Sequence, residues 1–195
     1  MYKNINGDNV QVIRQLARAH NIPLQMVPAE KLNSFTRANH QGPLFVMLDG
    51  VTDVRNIGAI ARSAVCCGAQ ALIIPDKGVG ALNEETMKSS AGALEQIYIS
   101  RVNSLAQAVD TLHLNGIKVF TAEMNAPAKV FSIGFEEPCC IIMGNEEKGV
   151  QHFLSKAADG HFSIPIAGDF DSFNVSVAAG IILYEAMKQR IAANG

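Results

Sequence analysis

No apolar run in this chain reaches the roughly 18–20 residues needed to cross a bilayer. The N-terminal stretch MYKNINGDNVQVIRQ also lacks the apolar core of a secretory signal. Those two absences set a cytoplasmic location, away from membranes, as the expectation. A surplus of one charge is missing as well. The 16 Lys+Arg against 18 Asp+Glu leave a net charge of −2, so overall charge does not announce a nucleic-acid binder. Any contact with nucleic acid has to be local, shared across an oligomer, or aided by something missing from the chain. Cysteine is scarce, and its 4 copies fall as the adjacent pairs Cys66–Cys67 and Cys139–Cys140. Neither pair has zinc-site spacing, and both lie in apolar segments (AVCCGA, PCCIIMG). Buried, reduced thiols are expected, and no metal. There is no P-loop, no G-x-G-x-x-G fingerprint and no Ser–His–Asp arrangement. The five histidines (His20, His40, His113, His152 and His161) are scattered and read as structural or surface residues. No repeat or low-complexity stretch occurs.

What is present is a globular composition of 195 residues, 48% hydrophobic and 17% charged. Residues 1–42 read as an N-terminal extension or linker. Val10, Ile13, Leu16 and Ala17 have helical spacing, and a short apolar piece and the polar segment AEKLNSFTRANHQGP follow. From residue 43 apolar strands alternate with helices. Strands are expected at Leu44–Leu48, Ala71–Ile74, Glu95–Ile99, Ile117–Ala122, Pro138–Met143 and His161–Ile166. Helices are expected over Ile57–Cys67, Glu84–Ala91, a segment capped by Asn103 with Leu105, Ala108, Val109 and Leu112 on its apolar face, and Asn174–Ile191. Lys188 and Arg190 near the end of that last helix suit its dipole. Continuous apolar strands separated by helices predict an α/β fold, a mostly parallel sheet with helices on both faces. Ligands of such sheets bind beyond the carboxyl ends of the strands. The loops after Leu48, Ala122, Met143 and Ile166 are therefore where chemistry is expected.

Three segments there carry unusual residues. In LDGVTDVRNIGAIARSAVCCGA a strand enters a polar loop and then a helix near Asn56. Gly58 permits close backbone approach, and Arg62 can aim a planar fork of donors at a phosphate. In IIMGNEEKG an acidic turn bounded by Gly144 and Gly149 places Glu146, Glu147 and Lys148 at a strand's carboxyl end. In IPIAGDFDSFNVSVAAGIILYEAMKQR a loop with Asp169, Asp171 and Ser172 leads into a helix that opens with small residues at Asn174. Each has a plainer reading: Asn56, Ser172 or Asn174 as a simple cap, Arg62 as a solvated charge, the acidic turn as an exposed loop.

Taken together, the three segments closely resemble the signature motifs of the SpoU/TrmH family, RNA 2′-O-ribose methyltransferases of the SPOUT class. Leu48–Arg62 looks like "LD-x-V-x-D-(P)-x-N-x-G-A-I-x-R", Gly144–Gly149 like "G-x-E-x-x-G", and Ile164–Ala178 like "I-P-(M)-x-G-…-S-(L)-N-V-S-V-A". The resemblance spans about residues 43–191, with Val54, Asn145 and Phe173 standing where the family usually has Pro, a small residue and Leu. It implies a SPOUT catalytic domain over 43–195 with a C-terminal trefoil knot, and a homodimer whose sites are completed across the interface. Residues 1–42 are similar to the tail of an extra N-terminal RNA-binding domain found in ribosomal-RNA members. The implied reaction is methyl transfer from S-adenosyl-L-methionine to a ribose 2′-hydroxyl of RNA, ribosomal RNA by preference. The implied catalytic residues are Asn56, Arg62, Glu146, Ser172 and Asn174, with Asn56 and Glu146 orienting Arg62. The implied cofactor contacts are Thr121, Ala122, Glu123, Met143, Gly144, Asn145, Ile164, Ile166, Phe173 and Asn174. Transfer RNA as substrate, or a non-catalytic RNA-binding member of the fold, are the alternatives. A nucleotide-binding enzyme of another kind lacks its glycine fingerprint.

Overall fold

A computed structural model describes residues 25–26 and 42–194. The helical spacing over Val10–Ala17 and most of the 1–42 extension lie outside the described residues. The strands are β1 (Gln25–Met26), β2 (Leu44–Leu48), β3 (Ala71–Pro75), β4 (Tyr98–Val102), β5 (Lys118–Ala122), β6 (Ala128–Lys129), β7 (Cys139–Met143) and β8 (Gly160–Ser163). They form one sheet in the order β1-β4-β3-β2-β7-β5-β8-β6, with every pairing between these strands parallel. The helices are α1 (Val54–Cys66), α2 (Glu84–Ser90), α3 (Leu105–Leu114), α4 (His152–Ala157) and α5 (Val175–Asn194).

Burial explains why these strands read as unbroken apolar runs. In β2 all five residues are buried. Leu44, Val46 and Leu48 face one core, which holds Ile57, Ile60 and Ala64 of α1 and Ala179, Ile182 and Leu183 of α5. Phe45 and Met47 face the other, which holds Val109 and Leu112 of α3 and Leu154 of α4. A strand covered on both faces has no polar side to alternate with. Gly58 is what lets α1 lie against α2. A Cβ there would sit 1.9 Å from Ser89 Oγ and 2.6 Å from the Thr86 carbonyl. Its close neighbour is thus a helix of the same chain.

Several expectations shift. The strand expected at Glu95–Ile99 starts later, at Tyr98, because Ala93–Glu95 form a short 3-10 turn. The cap of α3 is Ser104, whose hydroxyl accepts from Gln107 N at 3.3 Å, one residue past the expected Asn103. The strand expected over His161–Ile166 ends at Ser163. Cys139 and Cys140 are buried, but Cys66 is exposed and Cys67 half-buried at the end of α1, so the expectation of two buried pairs holds for one. Burial pushes the Cys139 thiol up to about 11. Arg190 is no dipole partner. It is buried, and its guanidinium donates to the carbonyl oxygens of Phe135 (2.8 Å), Gly42 (2.8 Å) and Glu137 (2.9 Å). Phe135 in turn packs edge-on against Phe120 and Phe162, with ring centroids 5.8 and 5.6 Å apart. These contacts tie α5 to both the 42–43 segment and the loop before β7.

Candidate active site

Three loops at the carboxyl ends of the strands meet. After β2, Asp53 caps α1 by accepting from Arg55 N at 2.8 Å. That leaves Asn56 in the first turn free for other work, so the plain-cap reading of Asn56 fails. After β7, the chain folds into a tight turn. Asn145 N donates to Gly149 O at 3.1 Å, and Gly149 N returns to Asn145 O at 2.8 Å. The Asn145 side chain fastens this turn. Its Oδ1 accepts from Glu147 N (2.9 Å) and Lys148 N (3.1 Å), and its Nδ2 donates to Gly50 O (2.9 Å) in the loop after β2. Gly144 is required by close packing, because a Cβ there would lie 2.3 Å from Gly149 C and Val150 N.

The turn presents Glu146, and Glu146 Oε1 gathers three donors. These are Asn174 Nδ2 at 2.8 Å, Asn56 Nδ2 at 3.0 Å and Val175 N at 3.4 Å. Asn174 Nδ2 also donates to Asn56 Oδ1 at 3.2 Å. Asn174 does two jobs. Its Oδ1 accepts from Ser176 N at 2.9 Å and Val177 N at 3.4 Å, which caps α5, while its amide nitrogen reaches the other two residues. Residues 56, 146 and 174 are thus one hydrogen-bonded unit drawn from three distant stretches. Among the described residues no group bonds Glu146 Oε2.

Arg62 stands apart from this unit. It lies six residues beyond Asn56 on α1, about 9 Å along the axis and a third of a turn around it. It is exposed and has no hydrogen bond or ion pair among the described residues. Within one chain, then, Asn56 and Glu146 hold each other and Asn174, and do not orient Arg62.

Beside the unit is a cleft of about 310 Å³. Of the expected cofactor contacts, Ala122, Glu123, Met143, Gly144, Asn145, Ile164, Ile166 and Phe173 line it, and Thr121 and Asn174 do not. Ser172 lines the cleft as well. Thr121 is fully buried and serves its neighbours. Its hydroxyl donates to Glu123 Oε1 at 2.7 Å and lies 2.7 Å from His161 Nδ1. Burial alone would raise the Glu123 carboxyl, but the Thr121 and Ser155 hydroxyls and nearby His161 outweigh it and hold it below the usual carboxylate range. Met124, Asn125, Val175 and Ala178 also line the cleft and were missed from sequence. Ala178 belongs to the small-residue opening of α5, which was the available signal. Asp49 was missed too. It is buried and accepts from Gln151 N at 2.7 Å, bracing the loop that follows β7.

The family model for the SpoU rRNA methylase family matches residues 43–184. The chain belongs to the SpoU rRNA methylase family. The 23S rRNA (guanosine-2′-O-)-methyltransferase RlmB of Vibrio parahaemolyticus is 38% identical over 156 residues, covering 80% of this chain and 63% of that protein. RlmB of Xanthomonas campestris is 32% identical over 189 residues, covering 97% and 76%. The solved structure of the SpoU methyltransferase AviRb from Streptomyces viridochromogenes, in complex with the cofactor AdoMet, superposes with a TM-score of 0.76 at 31% identity, covering 85% of this chain and 67% of that one. The chain therefore spans less than two thirds of the Vibrio relative, while the matched SpoU region contains every residue of the hydrogen-bonded unit and every residue that lines the cleft.

Proposed function

We propose that this SpoU-family chain transfers a methyl group from S-adenosyl-L-methionine to a ribose 2′-hydroxyl of RNA, ribosomal RNA first. The observation that carries this reading is the Asn56–Glu146–Asn174 unit at the mouth of a ligand-sized cleft. The volume falls within the range of small-molecule sites. The donor set suits this cofactor. Met143, Ile164, Phe173 and Ala178 offer apolar walls for a purine, and the carboxylate of Glu123 suits a cation. Bound there, S-adenosylmethionine supplies a methyl group on a sulfonium, ready for direct displacement.

The chain's own task is then to hold a hydroxyl in line, which can contribute a large share of the rate. Glu146 Oε1 is saturated by Asn56, Asn174 and Val175, which leaves Oε2 to accept from the 2′-hydroxyl. Ser172, in the wall of the cleft, steadies the ribose or the donor. Arg62 acts by gripping the phosphate next to the target ribose and polarising the hydroxyl with its planar fork of donors. It does so from the second copy of a homodimer, which accounts for its exposure in a single chain. An apolar stripe supports that assembly. Val177, Tyr184 and Ile191 recur every seven residues on one side of α5 and are 50, 59 and 62% exposed. We further propose that residues 43–195 form the catalytic domain in the cytoplasm, with residues 1–42 as its extension toward RNA. The segment from β7 to α5 threads as a trefoil knot, a reading supported by Asn174 bonding Asn56 after β2 and Arg190 bonding the Gly42 carbonyl before it.

The test is Arg62→Ala, assayed with tritiated S-adenosylmethionine and 23S rRNA transcribed in vitro. Cofactor affinity by calorimetry is expected to stay within about threefold, and methyl transfer to fall on the order of 10²-fold or more. A folded Arg62→Ala protein that no longer binds the cofactor overturns this division of labour. Wild type that labels a base instead of a ribose overturns the reaction.

A further inference from the structure

We propose that Phe170 is a stacking platform for the nucleobase of the target nucleotide. This inference rests on the reaction proposed above and names a residue that sets how the RNA is read. Phe170 is 86% exposed, more than Leu114, Phe131 or any other large apolar side chain on the described surface. It sits in the loop between β8 and α5, with no regular secondary structure from Ile164 to Asn174. The residues that follow it, Asp171, Ser172 and Phe173, line the cleft, and Asn174 completes the hydrogen-bonded unit. Three residues separate Phe170 from Asn174, so its backbone lies no more than about 14 Å from that of Asn174, even with the loop extended.

A ribose presented to Glu146 carries its base only a few bond lengths away. An aromatic ring held in water at that distance gains by covering a base face, and bases unstacked from RNA are commonly received in this way. Charge favours a base over the phosphate chain at this point. Asp169 and Asp171 flank Phe170, both exposed, and repel phosphates without affecting a neutral ring. A second copy of the chain is the other candidate occupant. The stripe already available for it, Val177–Tyr184–Ile191, runs along α5 and does not include this loop.

The absence of tryptophan from the chain makes the test direct. Phe170→Trp gives a protein with one tryptophan, placed at the site. Its emission is expected to be red-shifted, as in water, in the free protein and to be quenched when 23S rRNA is added. Emission already blue-shifted in the free protein and unmoved by RNA means a second copy covers the residue, and overturns the proposal. In parallel, Phe170→Ala is expected to raise the KM for the RNA on the order of tenfold, with kcat and S-adenosylmethionine affinity within about threefold of wild type. An unchanged KM in an active, folded variant also overturns it. If wild type itself bound no S-adenosylmethionine and transferred no methyl, the proposed function would fall and this inference with it. An active wild type with an indifferent Phe170 sinks the inference alone.

Discussion

Asn174 concentrates two duties in one short side chain. Its oxygen closes the N-terminus of α5 and its nitrogen supplies donors to Glu146 and Asn56. Substitutions can separate these. Asn174→Asp keeps an oxygen cap but removes both donors and sets a second carboxylate against Glu146. Methyl transfer is expected to fall on the order of 10²-fold, since small misplacements at a reacting centre have that scale of effect. The melting temperature stays close to wild type. Asn174→Ala loses the cap as well, about 1 kcal/mol, and melts roughly 2–4 °C lower. Calorimetric melting beside a tritium-transfer assay reads both. Equal melting temperatures for the Ala variant and wild type would remove the capping role. The residues of this unit were legible from sequence because three motifs carried them. Their partners were not. Nothing in spacing says that Glu146 Oε1 collects both amides, or that Arg62 stands elsewhere, since side-chain azimuth on α1 matters only once α1 is docked.

The elements were legible where periodicity and burial agree. The expected apolar face of α3 is buried as read. Strand β2 is apolar throughout because both faces are covered. The misplaced boundaries fall where local polarity competes with tertiary pairing. Ser100 and Arg101 argue against a strand, yet β4 includes them because β3 supplies a full ladder from Ala71 to Pro75. The most instructive miss is Arg190. A positive charge near a helix end has a ready local explanation, and the actual one includes a carbonyl 148 residues away in sequence, that of Gly42. Arg190→Met fills the space but leaves the carbonyl oxygens of Gly42, Phe135 and Glu137 without that donor. With about 1 kcal/mol or more for each, the loss is expected near 3 kcal/mol, and the melting temperature is expected to fall roughly 6–12 °C. A drop of a degree or less would mean water or neighbouring groups replace the guanidinium without cost.

The whole molecule is acidic overall, so a single chain has little general attraction for RNA. In the proposed homodimer, pairing two copies along α5 would bring two Arg62 side chains to the assembly and bury the Val177–Tyr184–Ile191 stripe. Tyr184→Glu is expected to convert a dimer into a monomer in light scattering at micromolar concentration. Methyl transfer is expected to be lost while each chain still folds. A dimer that survives the substitution would place the interface on another face.

The Arg190 clasp also has a consequence for how the chain is made. Strand β2 leaves the ribosome early but finds one of its two neighbours, β7, only after some ninety further residues, and the Gly42 carbonyl just ahead of it waits longer still for a guanidinium 148 positions downstream. A nascent chain therefore carries an unfinished sheet edge through most of its synthesis. A chain that stops before Arg190 leaves the Gly42, Phe135 and Glu137 carbonyl oxygens without that donor.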